Sequence, residues 1–416
     1  MQAVLLVAGA NKRFFPLETL GHKAMTRLYG RPLIEYVIED LRECGIHQFV
    51  IVVPKGDKVI TTHLQKGEDL GVTIQYAYQD SPKGQGNALL CAADLINESF
   101  IIPNAYHILE KNLFKTLIDR FNTEDLDGLI PAKYEEGIHE YGALDLDGER
   151  IKSIIEKPRA GTEPSHYRST SAFLFKPDFI HSLKNRTSHQ YAYEEAISDY
   201  AHDKKVLMHK IEKEQYIPTL KYPWHLLELF THLALTKIGY ISPNASIAKT
   251  AIIEDTAYID DGAIILDGAH IKGHTYIGRN VYIGDHSVIR DSDIGKNAQI
   301  GIHADIARSI IMEDVHFHGD GFIGDSVIGS FSRLGAGFIT ANKRMDRKPI
   351  LSYMDKSEIN TTEHALGVIC GKQTSFGVRV STMPGILVGE KSTIWPAMTV
   401  YTSLPHSGKL KPKIQP

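Results

Sequence analysis

From Ile241 onward, isoleucine recurs at every sixth position: Ile241, Ile247, Ile253, Ile259, Ile265, Ile271, Ile277, Ile283 and Ile289. After a one-residue deletion the series resumes at Ile294, Ile300 and Ile306. Small residues, mostly Ala, Ser, Thr or Val, fill the position four after each isoleucine in most repeats. Gly often follows the isoleucine, as in Ile277-Gly278, Ile283-Gly284 and Ile294-Gly295. A helix repeats at about 3.6 residues and a strand at about two, so neither satisfies this pattern. A triangular coil does: each hexapeptide forms one face, its isoleucine fills the inside, and the small residue packs close to the turn. This part of the chain is therefore predicted to be a parallel β-helix. The period returns at Phe376, Val388, Ile394 and Val400. The interruption between, about Thr340 to Ala365, is rich in Lys, Arg, Asp and Glu and should loop out from the coil.

Up to about residue 236 the pattern is different. Short apolar runs predict strands at Ala3–Ala8, Phe49–Pro54, Ile74–Tyr78, Phe100–Pro103, Gly128–Lys133 and Ser171–Phe175. Apolar residues at helical spacing predict helices over Leu33–Cys44, Val59–Lys66 and Asn87–Leu95. Strands alternating with helices point to a mostly parallel, helix-covered sheet of the mononucleotide-binding α/β kind. The expected organisation is an α/β domain over residues 1–236 followed by a β-helix domain over 237–416.

Of the 416 residues, 43 % are apolar and 23 % charged, which excludes general disorder. The net charge is −4 and no basic block occurs, so nucleic acid and anionic membrane are poor partners. No stretch approaches the roughly 18 apolar residues of a membrane span, and the apolar start lacks a basic n-region before Gly9. The three cysteines, Cys44, Cys91 and Cys370, have no metal-ligand spacing and cannot all pair, which suits a reducing cytoplasm.

Several short motifs stand in a definite order. Leu6-Val7-Ala8-Gly9-Ala10-Asn11-Lys12-Arg13 runs from a strand into a Gly-containing loop that ends in a cation. Backbone N–H groups in such a loop form an anion cradle, and Arg13 adds a fork for phosphate oxygens. Downstream come Lys23, Gly30-Arg31-Pro32-Leu33-Ile34, Gln79 to Ala88, Tyr141-Gly142 and Glu156-Lys157-Pro158. Together with the hexapeptide coil, these resemble the sugar-1-phosphate nucleotidylyltransferases that carry a left-handed β-helix. The nearest group is the bifunctional N-acetylglucosamine-1-phosphate uridyltransferase/glucosamine-1-phosphate acetyltransferases and their archaeal-type cousins. The resemblance covers nearly the whole chain.

That resemblance implies a Rossmann-like mixed sheet followed by a left-handed β-helix. Ala8, Gly9 and Arg13 would hold a nucleoside triphosphate, and Lys23 would neutralise developing charge. Gln79 and Gly84 would meet the nucleobase, with Gln85 standing where the uridyltransferases often have Thr. Gly142, Glu156 and Lys157 would take the sugar phosphate. The family's Mg²⁺ would be the cofactor. However, Tyr106 stands where the family has its first metal-binding Asp, and Thr219 near its second ligand; Asp80 or Asp199 could serve instead. Asn11 replaces the second glycine of the opening loop, and Ser169 and Ser171 replace the Asn and Gly that precede the sugar-side strand.

In the coil, Gly319 to Gly329 and Leu334 to Asn342 resemble the family's acetyltransferase segment, in which a histidine is the general base and acetyl-CoA the acyl donor. Strict counting puts Gly319 at the histidine position, with His318 one residue away and His316 three. His318 is the candidate base, and Asn342, with Lys343 and Arg344, a candidate sugar-phosphate contact. Arg333 replaces the family's Asn before Leu334.

Three readings remain open. The first is nucleotidyl transfer to a sugar 1-phosphate, with amino-sugar acetylation in the coil. The second is a nucleotide-sugar-binding regulatory homologue without the metal carboxylates. The third is an acyltransferase whose first domain only binds ligand. The resemblance implies a homotrimer, with closed rotational symmetry burying the coil's flat outer faces.

Overall fold

The computed structural model describes residues 1–9, 11–18, 21–186, 189, 191–354 and 357–412. The chain divides into two compact units: Met1–Ala10 with Leu33–Thr219, and Asn11–Pro32 with Leu220–Pro416. Helix His225–Leu235 and residues 11–32 thus group with the coil, whereas the sequence boundary at 236/237 leaves both with the α/β part.

The first unit is built on a ten-stranded mixed sheet. Its parallel side runs Phe100–Ile102, Gln2–Leu6, Gln48–Pro54, Thr73–Gln79, in that spatial order. These strands lie within two residues of the sequence expectation. Val4, Val50, Val52 and Phe100 are fully buried, as a sheet covered on both faces requires. Helix Leu33–Glu43 buries Leu33, Ile34, Val37, Ile38 and Leu41 on one stripe, with Glu35 in its first turn and Arg42 in its last, matching the helix dipole. The other side holds the antiparallel pair Gly142–Asp147 and Arg150–Glu156. Helix Ala192–Asp203 lies against the latter strand, where Ser198 Oγ accepts the N–H of Ile154 at 3.0 Å.

The second unit is the β-helix. Its two- and three-residue strands form three parallel sheets of eight, nine and eight strands. Residues 18 apart stack at first, Tyr258 on Tyr276; after the deletion the step is 17, Tyr276 on Asp293 and Asp293 on Ile310. The isoleucines face inward, and Ile259, Ile277, Ile283, Ile289 and Ile294 are wholly buried. Ile241, on the open first coil, is half exposed. Corners are turned by residues in the left-handed region, including Asn280, His286, Asp291 and Asn297 at φ 46–58°; Asn and Asp tolerate that conformation best. Equivalent corners are laddered, Asn280 Nδ2 donating to Asn297 Oδ1 at 3.4 Å and Asn297 Nδ2 to Asp314 Oδ1 at 3.1 Å.

The interruption does leave the coil: strand Val368–Cys370 resumes directly beside Val327–Ile328. It carries an antiparallel hairpin, Leu351–Met354 with Ser357–Asn360. The hairpin folds back on its own coil, Ser352 Oγ donating to the carbonyl of Gly385 at 2.9 Å. No described helix is long and apolar enough to cross a membrane.

Candidate active site

Because the four strands on the parallel side run the same way, their carboxyl ends share one edge, where open α/β sheets bind ligands. Ala8 and Gly9 follow the first of these strands, Gln79 ends another, and Tyr106 lies just beyond Phe100–Ile102; Ala10 falls outside the described residues. Gln79 is buried, and its amide donates to Asn87 Oδ1 at 2.7 Å, which fixes the side chain. Gly84 has φ 103° and ψ 173°, a conformation open essentially to glycine alone, at the start of Gln85–Cys91.

At the antiparallel pair, Gly142 lies opposite Glu156. A Cβ on Gly142 would stand 2.9 Å from Glu156 Oε2 and 2.9 Å from Ser169 Oγ, so glycine keeps that spot open between a carboxylate and a hydroxyl. Lys157 sits at φ 49°, its N–H donating to the carbonyl of Tyr141 at 3.0 Å. Burial raises the Glu156 pKa and Lys157 opposes the rise. Sequence reasoning missed the third carboxylate here. Glu194, from helix Ala192–Asp203, is pushed up to about 7 by burial and by Glu156 and Glu195. Its Oε2 is buried with no hydrogen-bond partner among the described residues. Nothing in its local sequence separates it from an ordinary charged helix position.

Tyr106 is half-buried, and the desolvation pushes its phenol up to about 12, so it is neutral. Thr219 offers a half-buried neutral hydroxyl. The alternative carboxylates are engaged elsewhere on the surface: Asp80 pairs with Lys55 at 2.9 Å, and Asp199 pairs with Arg186. Mg²⁺ needs charged oxygen ligands. The residues at the family's metal positions do not fit it, and among the described residues no group of three His, Cys, Asp or Glu forms a metal site.

In the second unit, Asn11 adopts φ 51° and opens the short turn Lys12–Phe14, so the loop keeps its shape without glycine. Arg13 is exposed. Lys23 is pushed down to about 7, first by burial and then by Arg13, and its Nζ donates to the carbonyl of Leu220 at 2.7 Å. Two cations crowded this way favour an anion between them.

In the coil, Phe317 points inward while His316 and His318 flank it on the outside, their rings stacked 4.4 Å apart. His318 is exposed; His316 is pushed down by burial, His318 and Arg333. Gly319 follows at φ 91°. Asn342 donates to Asp325, which also receives Arg308 through Nε at 2.7 Å and Nη2 at 2.9 Å.

A family profile described as nucleotidyl transferase matches residues 2–224, and one described as bacterial transferase hexapeptide (six repeats) matches 256–291. The chain is 32 % identical over 403 residues to a bifunctional protein GlmU of Methanococcus maripaludis, covering 95 % of this chain and 93 % of that one. It is 28 % identical over 409 residues to a bifunctional sugar-1-phosphate nucleotidylyltransferase/acetyltransferase of Sulfurisphaera tokodaii, covering 96 % and 97 %. Among solved structures, a Bacillus anthracis protein described as a glucose-1-phosphate thymidylyltransferase, in complex with sucrose, shares the fold. Its TM-score is 0.51 at 18 % identity, over 58 % of this chain and 98 % of that one. By its sheet, its hexapeptide coil and relatives that span both, the chain belongs to the nucleotidyl transferase family, in the branch that carries a left-handed β-helix.

Proposed function

We propose that the chain transfers a nucleotidyl group from a nucleoside triphosphate to a sugar 1-phosphate. An oxygen of the sugar phosphate attacks the α-phosphorus, the α–β bridge breaks, and pyrophosphate leaves. The observation that carries this reading is Lys23, half-buried with its Nζ held at the Leu220 carbonyl and crowded by Arg13, ready to meet phosphate charge. Ala8, Gly9, Arg13 and Lys23 hold the triphosphate, while Gln79 and Gly84 set the base. Gly142 leaves room for the sugar, Glu156 accepts its hydroxyls, and Lys157 takes its phosphate. Catalysis then consists of positioning and charge neutralisation by these groups. In the coil, amino-sugar acetylation would use acetyl-CoA as a second substrate, with His318 as base and Asn342 on the sugar phosphate. The assembly is a homotrimer and its place is the cytoplasm.

The test is pyrophosphate release across a panel of nucleoside triphosphates and sugar 1-phosphates. Arg13→Ala should weaken triphosphate binding by more than about tenfold while folding is kept; unchanged titration curves would argue against the loop. Acetyl-CoA consumption with amino-sugar phosphates tests the coil.

One observation favours a second reading. The neutral phenol of Tyr106 at a metal position points to a chain that binds the substrates yet turns over little with Mg²⁺. Binding without pyrophosphate release would select it.

A further inference from the structure

The segment that carries Arg13 and Lys23 ends in a hairpin, Arg27–Leu28 with Arg31–Pro32, whose tip is Tyr29-Gly30. Both tip residues lie in the left-handed region, Tyr29 at φ 50° and Gly30 at φ 71°. A two-residue turn of that kind favours Asn-Gly or Asp-Gly, so a tyrosine at the first position is disfavoured on its own. The coil and helix His225–Leu235 supply what holds it. The Tyr29 ring stacks on Phe230 at 5.6 Å and meets Tyr276 at 5.0 Å and Tyr258 at 6.3 Å. Its backbone N–H donates to Asp293 Oδ2 at 2.7 Å.

Asp293 is the anomaly that makes this more than packing. It lies on an outward row of the coil between Tyr276 and Ile310 and is only 3 % exposed. A carboxylate costs free energy in such a place, and the coil would pack as well with an apolar residue there. One coil further on, Glu313 Oε1 pairs with Arg27 Nε at 3.2 Å, and Arg27 Nη1 donates to the carbonyl of Gly30 at 2.7 Å. Gly30 is confined as well: a Cβ there would stand 2.5 Å from the Tyr276 hydroxyl oxygen.

We propose that Asp293 is a positioning residue for nucleotide binding: by holding the Tyr29 N–H it fixes, on the coil, the segment that presents Arg13 and Lys23. The proposal rests on the nucleotide-binding reading above.

Two readouts on the full chain separate the outcomes. Hydrogen exchange over residues 21–30 reads the clamp without any ligand. It should quicken at least about tenfold in Asp293→Ala, and stay within about threefold of the parent in Asp293→Asn, whose amide oxygen still accepts the Tyr29 N–H. Gly30→Ala, which disturbs the tip while leaving the coil's interior intact, should quicken it too and stands in if Asp293→Ala does not fold. Titration with ATP, CTP, GTP, UTP and dTTP should then show about tenfold weaker binding in Asp293→Ala and Gly30→Ala, near-parental binding in Asp293→Asn, and unchanged affinity for sugar 1-phosphate. Unchanged exchange in both disruptive variants overturns the clamp. Quickened exchange with unchanged triphosphate affinity overturns its role in binding. A parent chain that binds none of the five nucleotides overturns the nucleotide reading itself and the proposed role with it, while the exchange data still judge the clamp.

Discussion

Lys23 Nζ and the carbonyl of Leu220 are 197 residues apart in sequence and 2.7 Å apart in space. Burial, and then Arg13, leave the ammonium in a place that disfavours its charge, and its pKa falls to about 7. In the unfolded chain the same group titrates near 10.5. Between these values the unfolded state binds more protons, so stability should rise as pH climbs from about 7 toward 10.5. Lys23→Met should be more stable than the parent at pH 7 and should lose that advantage by about pH 10. Urea unfolding at the two pH values checks this; a constant gap would show that Lys23 does not titrate there.

Glu194 has the opposite sign. Its folded pKa is about 7 against an ordinary glutamate value of 4.5, so the folded state binds the extra proton in that window. Stability should fall as pH rises from about 4.5 to 7. Glu194→Gln should therefore gain stability at pH 8 and almost none at pH 4.5. Thermal melting at both values reads the difference, and Glu156→Gln should shrink it by removing a neighbouring carboxylate.

The coil's interior makes a graded prediction. Ile283 is fully buried, and Ile283→Ala should lower stability by about 2–5 kcal/mol through lost transfer and a residual cavity. Ile241 belongs to the same series but is 50 % exposed, and Ile241→Ala should cost less than about 1 kcal/mol. Equal losses in denaturant unfolding would mean that the first coil is covered in solution.

The metal positions predict a gain of function. If the second functional reading holds, Mg²⁺-dependent pyrophosphate release by the parent is weak. Tyr106→Asp combined with Thr219→Asp then raises it by supplying the charge that Mg²⁺ needs. Strong turnover by the unaltered chain would sink that reading.

Ile252, Ile264, Tyr282, Phe331 and Ile339 leave large apolar side chains exposed on the coil. Burying them between copies is the expected use of such self-complementary faces. Light scattering should give three times the chain mass, and a monomer at every concentration would contradict the trimer.

How far the sequence led depends on the range of the interaction. The coil was legible because each hexapeptide repeats the same local demand, so nine isoleucines state one rule nine times. Strands such as Gln48–Pro54 were legible as uniformly apolar runs. The pair Gly142–Asp147 and Arg150–Glu156 was not, because Asp145, Asp147, Lys152 and Glu156 break its apolar pattern. Helix Ala192–Asp203 hid for a like reason, its two aromatics and four acids reading as a mixed segment. Glu194 and Asp293 were invisible for a different reason. Their significance lies in what surrounds them, and a sequence does not print its neighbours in space.

The discontinuous second unit has a consequence for how the protein is made. Residues 11–32 leave the ribosome among the first, but Tyr29 must wait 264 residues for Asp293, and Glu18 must wait 388 for His406. At about 5–20 residues per second, the tyrosine's wait alone lasts roughly 13–53 s. Through that time the early segment is a strand of nascent chain without its seat. Vectorial synthesis therefore delivers the anion loop first and its anchorage last. A chain cut short before the tenth coil strand, Asp293–Ile294, would release the loop without the Tyr29 clamp.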